Sequence, residues 1–450
     1  MSDDRKWAER KVGLARLWAR TKQVLTTDPS HSDASDRVVD EETARVLAAQ
    51  AGRLKGGLAK VAQLAAYDPG RAFPRSAFGL AASGHAGASD TARATLGSLW
   101  DKVPAVSGGA IAAVIEADLG RPPQQLFATW EQAPLAAASL GQVHAATLHD
   151  GTEVVVKVQY PGIAEALRAD LDDAHFLRQL AGIGLGRSLD DAALTTLADA
   201  VRGELDYRAE AAAQTRFAEA WADHAVLRVP RVIGELSSTR VLTMTRARGK
   251  SVVDIAAGGS PDVRRAAALG IYIAAWGSPL AHGLLNADPN PGNFLVEVAA
   301  DDHVHVWCLD FGCAFAIPDA TRDADRELWW GLLDDDHASA AERFRMALAR
   351  SGLLRRTDTM ATTAHRDWER ALHAPLATHG DFHWDAVYAT TLADATGRVL
   401  AAGGLALPAD VLLLWRQRLG AAAVIGMLDA TAPFRRVLLD LVGTGRRALR

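Results

Sequence analysis

Asn286–Asn293 reads N-A-D-P-N-P-G-N, between an apolar run and Phe294-Leu295-Val296. Two prolines in eight residues fix φ and stiffen a loop, and the aspartate and three asparagines load it with short hydrogen-bonding side chains. Asp288 and Asn293 stand five positions apart. Seventeen residues beyond Asn293, Asp310-Phe311-Gly312 closes the apolar stretch V-W-C-L.

Upstream, Gly141–Leu148 and Val154–Tyr160 are β-rich runs flanking His149-Asp150-Gly151-Thr152, and an Asp-Gly between two such runs predicts a hairpin. Ala136–Ser139 precedes it, where a nucleotide-binding hairpin carries its phosphate loop. Lys157 interrupts the strand run V-V-V-K-V, and a buried ammonium there requires an anionic partner. The pattern from Ala192 to Ala220 predicts a helix carrying Glu204, Asp206 and Glu210, and Glu210 is placed to be that partner. Arg240–Thr245 predicts a further strand, and the chain beyond Pro261 reads as mostly helical apart from Phe294–Val298 and His303–Leu309. A strand lysine, a helix glutamate, D-x-x-x-x-N and then D-F-G, in that order, are the parts with which protein-kinase-like enzymes hold Mg-nucleotide and position a hydroxyl nucleophile. Each part alone is weak. Their conjunction, each in its required context, is not explained by packing.

At 450 residues, 49% hydrophobic and 23% charged, the chain has the composition of a globular protein with two or three compact units. A net charge of -5 and a pI near 6.3 argue against nucleic acid as a partner. Cys308 and Cys313 match no zinc or disulfide pattern and read as small buried residues in a reducing cytoplasm. No signal peptide or spanning helix is expected, because the most apolar C-terminal run, Leu419–Leu428, is too short to cross a bilayer. The first 25 residues carry seven Lys/Arg against three acidic residues, with Trp7, Leu14, Trp18 and Leu25 on one helical face. Two readings stay open for them: a peripheral contact with an anionic membrane, or a helix docked on its own protein. His379 and His383 have no third ligand nearby at a useful spacing, and the tryptophans, including Trp329-Trp330, read as core.

From about Ala44 to about Arg436 the chain resembles the UbiB/ADCK atypical kinases, the AarF-domain proteins. Pro134–Val143, P-L-A-A-A-S-L-G-Q-V, is similar to the alanine-rich loop those proteins carry in place of a glycine-rich one. Glu204-Leu205-Asp206-Tyr207 matches their E-x-D segment, and N-A-D-P-N-P-G-N their H-A-D-P-H-P-G-N loop. Gly57–Gln63, G-L-A-K-V-A-Q, resembles their K-x-G-Q motif, with Ala62 where the family has glycine. Trp415–Leu428 looks like their closing helix. Asn286 and Asn290 stand in place of two histidines, which removes two proton carriers and keeps hydrogen-bonding capacity.

The resemblance implies an α+β, bilobal protein-kinase-like fold: a small β-containing N-lobe, a mostly helical C-lobe, and an N-terminal helical extension packed over the active site. The corresponding division is residues 1–40, a basic amphipathic segment and linker; 41–130, the extension; 131–248, the N-lobe; and 249–450, the C-lobe. It implies that Lys157 contacts the α/β-phosphates and pairs with Glu210, that Asp288 is the catalytic aspartate, and that Asn293 and Asp310 hold Mg2+. Ala136, Ala137, Ala138 and Ser139 would cover the phosphates of ATP or ADP, and Met244 and Thr245 would lie at the adenine hinge. Lys60, Gln63, Glu204 and Asp206 would form the cluster that occludes a protein-substrate site. The implied function is an atypical kinase or ATPase in isoprenoid-lipid, ubiquinone-like metabolism, acting on water, a lipid or a small hydroxyl compound, in the cytoplasm or peripheral to a membrane. The alternatives are a nucleotide-binding pseudokinase scaffold and a small-molecule phosphotransferase of the aminoglycoside or choline kinase type.

Overall fold

A computed structural model describes residues 106–138, 140–165, 205–351, 363–402 and 408–447, with a few single positions between them. The N-terminal amphipathic segment, Lys60, Gln63, Ser139 and Glu204 lie outside the described residues. In chain order the first elements are α1 (Gly108–Leu119), β1 (Thr129–Ala138), β2 (Gly141–Thr147), β3 (Glu153–Gln159), α2 (Tyr207–Ala220), β4 (Leu227–Arg228), β5 (Val241–Thr245) and β6 (Lys250–Ser251). Next come α3 (Val252–Gly258), α4 (Pro261–Tyr272), a π-helix (Ile273–His282), β7 (Leu284–Asn286), β8 (Phe294–Val298), β9 (Val304–Cys308) and β10 (Ala314–Ala316). The chain closes with α5 (Asp319–Leu332), α6 (His337–Arg350), α7 (Thr363–His373), β11 (Phe382–Trp384), α8 (Ala386–Ala401), α9 (Ala409–Leu428), β12 (Ala430–Ala432) and α10 (Phe434–Arg447).

Two compact units result, one drawing its described residues from Phe73–Leu205 and Ser238–Thr243, the other from Asp206–Ser237 and Met244–Arg450. The first is built on a four-stranded sheet in the order β1-β2-β3-β5. Its β2–β3 hairpin turns where Asp-Gly predicts: Gly151 has φ +88 and the Thr152 amide donates to Asp150 Oδ1 at 2.8 Å. Val154, Val156 and Val158, alternating along β3, are fully buried. Gly141 is obligatory, since a Cβ there would stand 2.0 Å from the Val158 carbonyl oxygen. α1 is capped by Ser107 and ends on Gly120 at φ +76. Asp118 on α1 is joined to Arg240, whose Nε donates to it at 3.0 Å, and to the Ser238 hydroxyl at 2.7 Å. The guanidinium and hydroxyl hold the Asp118 carboxyl below the usual range despite its partial burial, which pushes the other way.

The second unit is mostly helical around an aromatic core. Tyr272 stacks on Trp276 at 4.4 Å between ring centroids, and Trp329, Trp384 and Phe434 continue the cluster. The tryptophans are core residues, as the sequence suggests. Within this core Arg418, 1% exposed, makes two bonds of 2.6 and 2.5 Å to Asp325 and lies over the Trp329 ring at 5.0 Å. α9, which carries Arg418, corrects one expectation: Asp410–Leu428 is long and apolar enough to cross a membrane by length and composition, yet 78% of that window is buried in the fold. The strand inventory was also short. β1, β7, β10, β11 and β12 are strands that the pattern beyond Pro261 and before Gly141 does not reveal, whereas Phe294–Val298 and Val304–Cys308 pair antiparallel where expected.

Candidate functional site

The quoted loop follows β7, whose register with β10 pairs Asn286 with Ala314. Asn290 accepts the Gly292 amide at 2.9 Å and starts a single 3-10 turn, Pro291–Asn293, with proline at its first position. The turn returns Asn293 to Asp288: its Nδ2 donates to the Asp288 carbonyl at 2.9 Å and to Asp288 Oδ2 at 3.3 Å. With both amide hydrogens of Asn293 directed at Asp288, its Oδ1 is the end left to face a cation. Pro289 packs on α9 so closely that a Cβ on Gly420 would lie 2.2 Å from its Cγ.

Asn286 ties this loop to the D-F-G turn. Its Nδ2 donates to the Asp310 carbonyl at 2.7 Å, and its Oδ1 accepts the Asp288 amide at 3.4 Å. Asp310 Oδ1 in turn accepts the Gly312 amide at 3.0 Å, an Asx turn that fixes the carboxylate and leaves its second oxygen outward. The Leu309 amide donates to the Asn293 carbonyl at 3.0 Å, a second bond between the two segments. Phe311 is 1% exposed and lies 5.0 Å from the Phe217 ring of α2. Asp288, Asn293 and Asp310 are thereby joined in one network. Oxygen donors from an asparagine and an aspartate suit Mg2+, which takes few protein ligands and completes its shell with phosphates and water. Among the described residues no group of three His, Cys, Asp or Glu side chains could hold a metal by itself, and that includes the His379–His383 segment. His383 pairs instead with Asp429 at 2.7 Å.

A cavity of about 30 Å3, room for about two waters, sits beneath the loop between Asp288, Asn286, Cys308, Phe311, Phe217 and Trp221. Burial pushes the Cys308 thiol up to about 12, so it is a neutral part of the wall.

The other candidate residues take these positions. Lys157 lies on β3 opposite Val143 and is half-buried. Glu210 is 5% exposed in the first turn of α2. Asp206 is not on the helix but caps it, accepting the Arg208 amide at 2.9 Å, because its short carboxylate satisfies one of the free N-terminal donors. Ala136–Ala138 are not a loop: they are strand residues paired with Val143, Gln142 and Gly141, and the turn falls after them. Met244 and Thr245 end β5; Gln214 Nε2 donates to the Met244 sulfur at 3.4 Å, and the Thr245 hydroxyl accepts the Arg231 amide at 2.9 Å. Gln417, on α9, was not anticipated. Its Oε1 accepts the Asn286 amide at 3.3 Å and its Nε2 donates to the Ala274 carbonyl at 3.2 Å. The available signal was a lone uncharged polar residue inside an apolar helical run.

The ABC1 atypical kinase-like domain matches residues 98–344. The atypical kinase COQ8B, mitochondrial, of Rattus norvegicus is 34% identical over 275 residues, 61% of this chain and 50% of the relative. Uncharacterized protein MT0675 of Mycobacterium tuberculosis is 32% identical over 338 residues, 71% of this chain and 64% of the relative. The chain thus spans between half and two thirds of the length of these relatives. Among solved structures, the complex of Rv3197 with erythromycin from Mycobacterium tuberculosis has a TM-score of 0.61 at 24% identity, covering 89% of this chain and 96% of that one. That likeness extends to the fold.

Proposed function

The chain belongs to the ABC1 atypical kinase-like family and has its kinase-like fold, and from that premise we propose that it binds Mg-ATP or Mg-ADP and transfers the γ-phosphoryl group to water or a small hydroxyl compound in isoprenoid-lipid metabolism. The single observation that carries the reading is the bonded set of Asp288, Asn293 and Asp310. Asp288 accepts the proton of the attacking hydroxyl, and the Asn293 amide holds that carboxylate in place. Asn293 Oδ1 and the outer Asp310 oxygen are the Mg2+ ligands. The cation, when bound, neutralises charge developing on the phosphates. Lys157 and Glu210 serve the nucleotide in the roles the resemblance implies, with Met244 and Thr245 at the adenine edge. The COQ8B name of a relative supports the ubiquinone-like connection.

A protein substrate is disfavoured by the short path after D-F-G. Only residues 313–318 separate Gly312 from α5, and Ala314–Ala316 among them are committed to pairing with β7. That leaves no segment on which a peptide could dock.

The test compares wild type with Asp288→Asn and Asp310→Asn in ATP consumption, with and without lipid vesicles. Asp288→Asn is expected to lose about a hundredfold in rate while still gaining thermal stability from Mg-ADP. Asp310→Asn is expected to lose the Mg-dependent part of that gain. Equal rates in all three proteins sink the enzyme reading. No rise in the wild-type melting temperature with Mg-ADP or Mg-ATP sinks nucleotide binding, since a ligand of the folded state alone must raise it.

A further inference from the structure

We infer that Gln417 is a positioning residue for the Asp288 loop, a role that rests on the phosphotransfer reading above for its effect on rate but not for its structural consequence. Two backbone groups explain why a glutamine is buried here, 4% exposed, in the middle of α9.

The first is the Asn286 amide. The Ala287 amide donates to the Cys313 carbonyl at 3.0 Å, so by the alternation of an antiparallel ladder the amide of Asn286 faces away from β10. The second is the Ala274 carbonyl. In a π-helix a carbonyl receives the N–H five residues on, and five residues after Ala274 stands Pro279, which has none. An amide side chain carries one acceptor and one donor group, and Gln417 uses both: Oε1 takes the Asn286 N–H and Nε2 meets the Ala274 oxygen. A proline that leaves a carbonyl open and a strand that leaves an amide open are closed by one side chain from a third element.

The consequence reaches Asp288 by a short series of bonds. Gln417 fixes the Asn286 backbone; the Asn286 side chain holds the Asp288 amide and the Asp310 carbonyl; Asn293 holds the Asp288 carboxylate. Gly420, one turn along α9, seats Pro289. α9 therefore sets the height of the loop at two points, one polar and one steric.

The experiment uses the full chain with Gln417→Leu, Gln417→Glu, and Gln417→Leu combined with Pro279→Ala. Gln417→Leu is expected to speed hydrogen exchange in the peptide spanning 284–293 about tenfold or more. It should also lower the rate of ATP consumption by at least tenfold, with KM for ATP and the Mg-ADP melting shift within about twofold of wild type. Gln417→Glu keeps an oxygen toward the Asn286 amide and should protect that peptide better than leucine does. Pro279→Ala returns an N–H to the π-helix, so the double variant should regain melting temperature without regaining rate or exchange protection. Recovery of all three together makes Gln417 a residue of general stability and overturns the inference. If wild type consumes no ATP the kinase reading falls, and exchange alone decides: unchanged protection of 284–293 in Gln417→Leu overturns the positioning role.

Discussion

Asn286→Ala removes the shared partner of the Asp310 carbonyl and the Asp288 amide, both part-buried. Leaving such groups unmet costs about 1–3 kcal/mol, and the variant should unfold at lower urea and lose most of its ATP consumption. Asn286→Asp should fare worse in rate, because a carboxylate would face the Asp310 carbonyl where a donor is needed. Gly420→Ala forces Pro289 to move and should cost about 1–3 kcal/mol, with the loss in rate exceeding that of an alanine placed elsewhere on α9. His144 gives a pH prediction. Its Nδ1 donates to the Glu131 carbonyl and its Nε2 accepts from Gln142, and burial holds its pKa below the ordinary 6.5. The unfolded chain then binds more protons, so the stability His144 contributes is present above pH 6.5 and is lost as pH falls below it. Buried His224, His282 and His365 shift the same way and steepen the loss. Urea unfolding from pH 8 to pH 5 should show it, and His144→Gln should flatten the slope. Asp288, Asn293 and Asp310 were legible in the sequence because their meaning lies in local spacing and in the apolar strand before D-F-G. Gln417 was not, since its partner Asn286 is 131 residues away and the orphaned groups it meets exist only once the chain is folded.

Among elements, the β2–β3 hairpin, β8 and β9 could be read from turn chemistry and β-rich runs. The three-residue strands β7, β10, β11 and β12 could not, because a strand that short has no period of its own and is defined by its partner. The same holds for Asp206, where the helical pattern continues upstream of Tyr207 but the carboxylate ends the helix by capping it. α9 shows the opposite failure: a run judged too short to span a bilayer is extended by Asp410–Arg418 into a helix that passes that test, while its contacts make it a core element. Its Arg418–Asp325 pair fits that role. Arg418→Met alone strands a buried carboxylate and should destabilise by about 3–5 kcal/mol, whereas Arg418→Met with Asp325→Leu should recover much of it. Denaturant midpoints of the two variants check this, and equal losses would mean that shape, not charge, sets the cost.

At the scale of the whole molecule, family and fold were both legible, because the motifs run in order along most of the chain and the family match covers 98–344. The basic N-terminal 25 residues carry a proposal of their own: if they contact an anionic membrane, removing them should abolish sedimentation with phosphatidylserine vesicles while leaving Mg-ADP stabilisation intact. Sedimentation unchanged by the deletion assigns those residues to packing. The π-helix at Ile273–His282 has a bearing on which chain lengths this fold accepts. Each residue of an α-helix turns the chain by about 100°, so deleting one residue from this stretch would restore α-helical bonding and rotate everything after it by that angle. Insertions and deletions in surface loops leave phase untouched, but here a single lost codon would turn the Asn286 amide away from α9 while leaving every residue of the N-A-D-P-N-P-G-N loop in the sequence.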